Sequence, residues 1–220
     1  MGLNEKFFNS ATDEVFPLLI DEVWASGTTS LIQNNGLNVK FPTSSEGTAF
    51  PNVNAISSGK WYWEVKLVAI TGAGAAIGIT DYDTYTRSTA QGTYPADAGS
   101  PLKMLFYNGA VYYGDGYNSI TTGFTSQLAA NNIIGFALDA DNSTFTMSKN
   151  NSWMLGYTPG TSNAITNFSW TNTQIWYGHG SQNAARSTTW GIVPYTSLNY
   201  SVPSGYTALK GDFTAQQVVK

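Results

Sequence analysis

The chain carries one histidine, His179, and no cysteine, so acid–base or nucleophilic chemistry would have to run through His179 or through carboxylates. No Gly-x-Ser-x-Gly elbow offers His179 a nucleophile, and the glycines on either side of it mark a loop residue. A zinc site without cysteine needs several histidines and carboxylates together, which one histidine does not supply. Glycoside hydrolysis needs two carboxyl groups facing one bond, and Asp139 with Asp141 is the nearest approach to such a pair. Both fall in Asp139-Ala140-Asp141-Asn142-Ser143, a composition that forms turns. That stretch also begins like a calcium loop but lacks the sixth-position glycine and the twelfth-position glutamate. Asp81 and Asp83 are weaker still. Glu64 stands in a strand pattern with no second acid alternating with it. The sequence therefore predicts no catalytic residue, no metal site and no cofactor.

Composition narrows the partners. Charged residues make up 11% of the chain, against about 25% in an average soluble domain, and Gly, Asn, Ser and Thr supply the polarity. A net charge of −4 with no basic run argues against nucleic acid, whose phosphates call for clustered Lys and Arg. Gly2 resembles a myristoylation start, but Lys6 stands where Ser or Thr is required. Met1 to Phe8 lead into no apolar signal core, and the longest apolar cluster, Phe16 to Ile20, is far too short to span a membrane. No signal peptide and no membrane insertion are expected.

Residues 1–26 read as an N-terminal appendage of one or two short helices, interrupted at Pro17. Its apolar residues, among them Phe7, Phe8, Phe16, Leu19 and Trp24, are candidate anchor residues. From about residue 28 the period becomes that of strands. Lys60 to Val68 alternates strictly: Trp61, Trp63, Val65 and Leu67 on a buried face, Lys60, Tyr62, Glu64 and Lys66 on the other. Ala75 to Thr80 follows a Gly-rich turn. Asn108-Gly109 between apolar flanks predicts a hairpin within Leu105 to Tyr113. In Asn132 to Ser148, Ile134, Phe136 and Leu138 alternate with Ile133, Gly135 and Ala137, a turn follows at Asp141 to Ser143, and Lys149-Asn150-Asn151 turns again. Further strands are expected at Gln174 to Gly178, Ser187 to Ile192 and Leu198 to Ser201. Short strands with Gly, Asn and Ser turns predict an all-β, antiparallel two-sheet sandwich over residues 27–209, with 81–104 a long excursion and 210–220 a tail or linker.

The chain holds 7 Trp, 13 Tyr and 11 Phe. Tyr82, Tyr85, Tyr94, Tyr112, Tyr113 and Tyr117 fall in expected loops or hairpin ends. Tyrosine offers a large contact area with few torsions to freeze, so these six are the candidate contact residues. The plainer reading is that they cover the edges of the sandwich.

The segment order resembles the SPRY family, a concanavalin-like sandwich. The matching stretches are Ser58-Gly59-Lys60-Trp61-Tyr62-Trp63-Glu64-Val65, Ile77-Gly78-Ile79, and Ile133 to Asp141 with the strand and turn that follow. Asn151 replaces the Gly of the family's Lys-Asn-Gly turn, and Thr189-Trp190-Gly191 replaces its Asn-Phe-Gly. The polar filler and the close at Val202-Pro203-Ser204-Gly205-Tyr206-Thr207-Ala208-Leu209 look like SPRY-type domains of bacteriophage structural proteins. The resemblance implies a non-catalytic module that binds proteins or peptides through loops at the sandwich edge. The resulting expectation is a virion structural protein of a phage or similar virus: a decoration, fibre or tail-associated module, made in the host cytoplasm and displayed on the particle surface. In that picture residues 1–26 anchor it to other virion proteins, and the loops face outward toward a host-surface protein or glycan, in many copies. A peptide-binding adaptor inside a cell and a carbohydrate-binding module stay open as alternatives.

Overall fold

Period-two sequence patterns become strands because successive side chains point to opposite faces, and two such faces must bury each other. The computed structural model describes residues 20–26, 31–41, 46–51, 56–72, 75–81, 102–107, 110–113, 118–121, 124, 128–161, 173–179 and 187–211. Among these there is no α-helix, and the strands form two sheets. The first holds β1 (Ile20–Ser26), β4 (Glu46–Pro51), β6 (Ala75–Asp81), β7 (Leu102–Tyr107), β8 (Ala110–Tyr113), β9 (Asn118–Thr121) and β13 (Thr173–His179), in the order β1-β4-β13-β6-β7-β8-β9. The second holds β2 (Leu31–Gln33), β3 (Asn38–Phe41), β5 (Lys60–Thr71), β10 (Ile133–Asp139), β11 (Thr144–Lys149), β12 (Ser152–Trp153), β14 (Ser187–Val193) and β15 (Thr207–Ala208). Its order is β12-β11-β10-β5-β14-β3-β2, and β15 adds to β5. Every pairing is antiparallel except β15 with β5, which is parallel.

The core lies between the sheets. Ala49, Ile77 and Ile79 from the first meet Val39, Phe41, Trp63, Val65, Leu67, Ile134, Phe136, Leu138, Phe145, Met147 and Trp190 from the second. The Trp63 and Phe136 rings stack at 5.2 Å and 12°, and Phe145 leans on Phe136 at 5.9 Å, the offset and tilted contacts that aromatic quadrupoles favour. The alternation expected in β10 thus resolves with Ile134, Phe136 and Leu138 in the core, joined by Phe145 and Met147 from β11. The predicted hairpin is β7–β8, with Tyr107 opposite Ala110. The turn after β11 carries Asn150 and Asn151 in the left-handed region, at φ 49° and 65°, which asparagine tolerates better than most residues.

Three expectations are corrected. Ile20–Ser26, read as part of the appendage, is an edge strand paired along its length with β4. Leu198 to Ser201 forms no strand; it belongs to a strap, residues 194–206, that begins with a 3₁₀ turn at Tyr195–Ser197. Finally, β5 is buried on both faces over its first half. Tyr62 and Glu64 are 1% and 0% exposed, while Trp61 is only partly buried.

Register fixes the two ends of the sandwich. Ile20 lies opposite Pro51, Thr173 opposite Asp81, Thr80 opposite Leu102 and Tyr113 opposite Asn118. These residues form one end of the seven-stranded sheet. Lys60, opposite Asp139, belongs to the same end, because β5 runs to Thr71 at the other end and β6 starts there at Ala75. The opposite end carries Ser26, Thr71, Tyr107, Ala110 and His179.

Candidate functional site

Burying a carboxylate is unfavourable unless hydrogen bonds replace its water. Glu64 is fully buried on the outer face of β5 and receives four. Tyr62 Oη donates to Oε1 at 2.9 Å and the Tyr200 N–H to the same oxygen at 2.9 Å. The Asn199 N–H donates to Oε2 at 2.8 Å and the Asn199 side-chain amide to it at 3.0 Å. The strap's amides have no ladder partner; the carboxylate takes that place, which is why Leu198 to Ser201 is held without being a strand. Tyr62 Oη is itself pushed well above the ordinary phenol range, by burial first and then by the charge and hydrogen bond of Glu64. It stays a donor. With four donors on its two oxygens, Glu64 clasps the strap to β5.

The strap returns along β5. The Leu209 N–H donates to Tyr62 O at 2.8 Å, and the Leu209 side chain enters the core at 5% exposed. Lys210 Nζ sits 5.4 Å from the centroid of the Tyr195 ring, so the residue two past β15 meets the start of the strap. The expected tail boundary therefore falls just beyond a core residue.

At the Lys60 end, Asp139 is buried and takes Lys60 Nζ at 2.7 Å, the Asn142 side-chain amide at 2.8 Å and the Asn142 N–H at 3.0 Å. Burial works against its charge, but the Asn142 amide, Lys60 and the Asn142 N–H together hold its carboxyl below the usual range. Lys60 is raised in turn, by its hydrogen bond to Asp139 and then by that residue's charge. Asp141 accepts the Gly59 N–H at 2.8 Å. The acid pair weighed for hydrolysis thus builds a turn and ties it to the start of β5. Among the described residues no group of three His, Asp or Glu could hold a metal ion. His179, expected in a loop, ends β13, opposite Gly47 on one side and Ala75 on the other.

Of the candidate contact residues, Tyr112 and Tyr113 end β8. Tyr82, Tyr85, Tyr94 and Tyr117 lie outside the described residues, as do Phe7, Phe8, Phe16 and Leu19. Trp24 lies in β1, opposite Thr48, so this anchor candidate belongs to the sandwich. The strands nevertheless say where the tyrosine-bearing connections attach: 82–101 joins the end of β6 to the start of β7, and 114–117 joins β8 to β9, all at the Ile20 end. Sequence reasoning missed the Glu64 clasp. Its signal was Tyr62-x-Glu64 on the face taken for solvent, two polar groups at strand spacing beside an aromatic run.

No family model matches the chain, and no curated protein does. Solved structures do. The SPRY domain of human HERC1 superposes with a TM-score of 0.56 at 15% identity, over 80% of this chain and 96% of that one. The PSpry domain of TRIM65 gives 0.52 at 13% identity, over 80% and 92%. The likeness to these solved structures shows that the two antiparallel sheets form a SPRY-like fold.

Proposed function

We propose that this chain is a non-catalytic structural protein of a phage or similar virus, presenting its SPRY-like sandwich for contact with proteins or a host surface. The observation that carries a contact role is that the tyrosine-bearing connections 82–101 and 114–117 both attach to strand ends on the Ile20 side of the sandwich. Binding residues sit preferentially on loops that a scaffold positions. The described carboxylates Glu64 and Asp139 are spent on structure, which supports a module that holds and does not transform its partner. The virion setting is supported by the polar, weakly charged composition and by the phage-like close at Pro203 to Leu209. Many copies on one particle would turn weak single contacts into avidity. Mass spectrometry of purified particles tests the reading: the product is expected among the structural proteins, and particles free of it would sink the proposal.

A second reading has its own support, since the solved neighbours are SPRY domains of HERC1 and TRIM65. In it the chain is a peptide-binding adaptor. Retention of a discrete peptide set from a random display library, with no product in particles, would favour it.

A further inference from the structure

The turn between β2 and β3 holds the parts of a spontaneous reaction. We propose that Asn35 is a site of covalent self-modification: its side-chain amide is lost through a succinimide ring that the Gly36 nitrogen closes and water opens. The product is an aspartyl or isoaspartyl carboxylate at the tip of this hairpin. The inference goes beyond the virion reading and does not depend on it.

The ring closes only if the next residue's nitrogen can swing onto the amide carbon, and a side chain on that residue obstructs it. Gly36 has none. Among the described residues, Asn35 is the only asparagine followed by glycine. Its side chain is exposed; its φ is 53° and that of Gly36 is 86°, and the Leu37 N–H closes the turn on Asn34 O at 3.1 Å. Asparagine and glycine are the residues such mirror-image turns select. Neither the Asn35 side chain nor the Gly36 N–H makes a hydrogen bond among the described residues. Other asparagines are held. Asn132 Oδ1 accepts the Ala129 N–H and Asn150 Oδ1 the Ile133 N–H, both at 2.8 Å, while the Asn142 and Asn199 amides donate to Asp139 and Glu64. Asn34 and Asn151 are exposed, but residues with side chains, Asn35 and Ser152, follow them. The three-residue strand β2 ends its sheet. Local opening of so short an edge brings Gly36, itself buried, to the attacking geometry.

Water is the only co-reactant. The Gly36 nitrogen bonds to Asn35 Cγ, the Cγ–Nδ2 bond breaks, and ammonia leaves with the proton from that nitrogen. Water then opens the ring. Attack at Cγ gives aspartate on the ordinary backbone; attack at the Asn35 main-chain carbonyl routes the chain through Cβ as isoaspartate. Nothing is oxidised or reduced. Either product adds a negative charge to a chain of net charge −4. The isoaspartyl form also puts an extra main-chain carbon inside the turn that Asn34 O and the Leu37 N–H close.

The full chain would be incubated in mildly alkaline buffer, folded and, in parallel, unfolded in guanidinium chloride, until the unfolded sample has largely converted Asn35. Peptide mapping by mass spectrometry reads every asparagine, and fragmentation of the backbone separates aspartyl from isoaspartyl peptides. The expected result is measurable conversion of Asn35 in the folded chain, ahead of every other described asparagine by an order of magnitude or more. Asn35 intact in the folded chain at that point overturns the proposal, because the fold then protects the turn. Conversion of another described asparagine at an equal rate overturns it too, as does change confined to Asn108, where the chain's other Asn-Gly stands.

Discussion

Glu64 and Asn199, 135 positions apart in the chain, are joined through one carboxylate oxygen that accepts both the backbone and the side-chain amide of the asparagine. The pair fastens the strap to the central strand, and its other oxygen holds Tyr62 and Tyr200. Glu64→Gln turns one oxygen into a donor facing donors. It should cost about 3 kcal/mol or more, since hydrogen bonds to a charge contribute about 1.5–3 kcal/mol each. Tyr62→Phe removes a single donor and should cost less, about 1–2 kcal/mol. Urea unfolding of the two variants and their double mutant checks the ranking and the coupling.

A side chain at Gly135 has no room. A Cβ there would lie 2.6 Å from Ser148 Oγ and 2.8 Å from Tyr62 Oη, which Glu64 fixes in place. Gly135→Ala should destabilise by about 1–3 kcal/mol, the range of overpacked cores. Ser148 Oγ is buried without a hydrogen-bond partner, so Ser148→Ala alone should cost little. Combined with Gly135→Ala it should recover part of the loss. Thermal melts of the three proteins decide it.

The Lys60–Asp139 ion pair sets a pH window. Asp139 is held below its unfolded value near 3.9, so its contribution is complete above that pH and disappears as pH falls through the lowered folded value. Lys60 is raised above its unfolded value near 10.4, so its contribution is complete below that pH and is lost as pH climbs through the raised value. Between about 4 and 10 the pair's share should be flat. Asp139→Asn should weaken the acid limb of a stability–pH curve, measured by denaturant unfolding at each pH.

Leu155 occupies the left-handed region at φ 51° with its side chain 43% exposed. A leucine there costs roughly 1–2 kcal/mol over a residue at ease in that conformation. Leu155→Asn should therefore raise stability by about 1 kcal/mol, seen as a later urea midpoint at unchanged slope.

The alternation of Trp63, Val65 and Leu67 was legible because apolar residues at every second position mark the face turned to the core, whereas β10 is buried along its whole length. The second buried face of β5 was not legible, because the strap that covers it has no period and holds on through backbone amides. Ile20–Ser26 passed for an appendage because Asp21 and Glu22 suit an edge strand, where charges guard against mispairing, yet look foreign to a sheet. His179 looked like a loop residue because glycines flank it, although β13 pairs on both sides. Of the site, the turn role of Asp139 and Asp141 was readable from local composition. The Glu64 clasp was not, since its partners are distant in sequence.

The parallel return of β15 onto Trp61 and Tyr62 governs how the molecule is born. A ribosome completes β5 long before it reaches Thr207, so during synthesis the front of the central strand waits with bare amides and an unmated carboxylate. Long-range closure of this kind makes folding slow and leaves nascent chains prone to sticking. Truncated products ending before Leu209 would be expected to accumulate as aggregates, not as smaller folded modules.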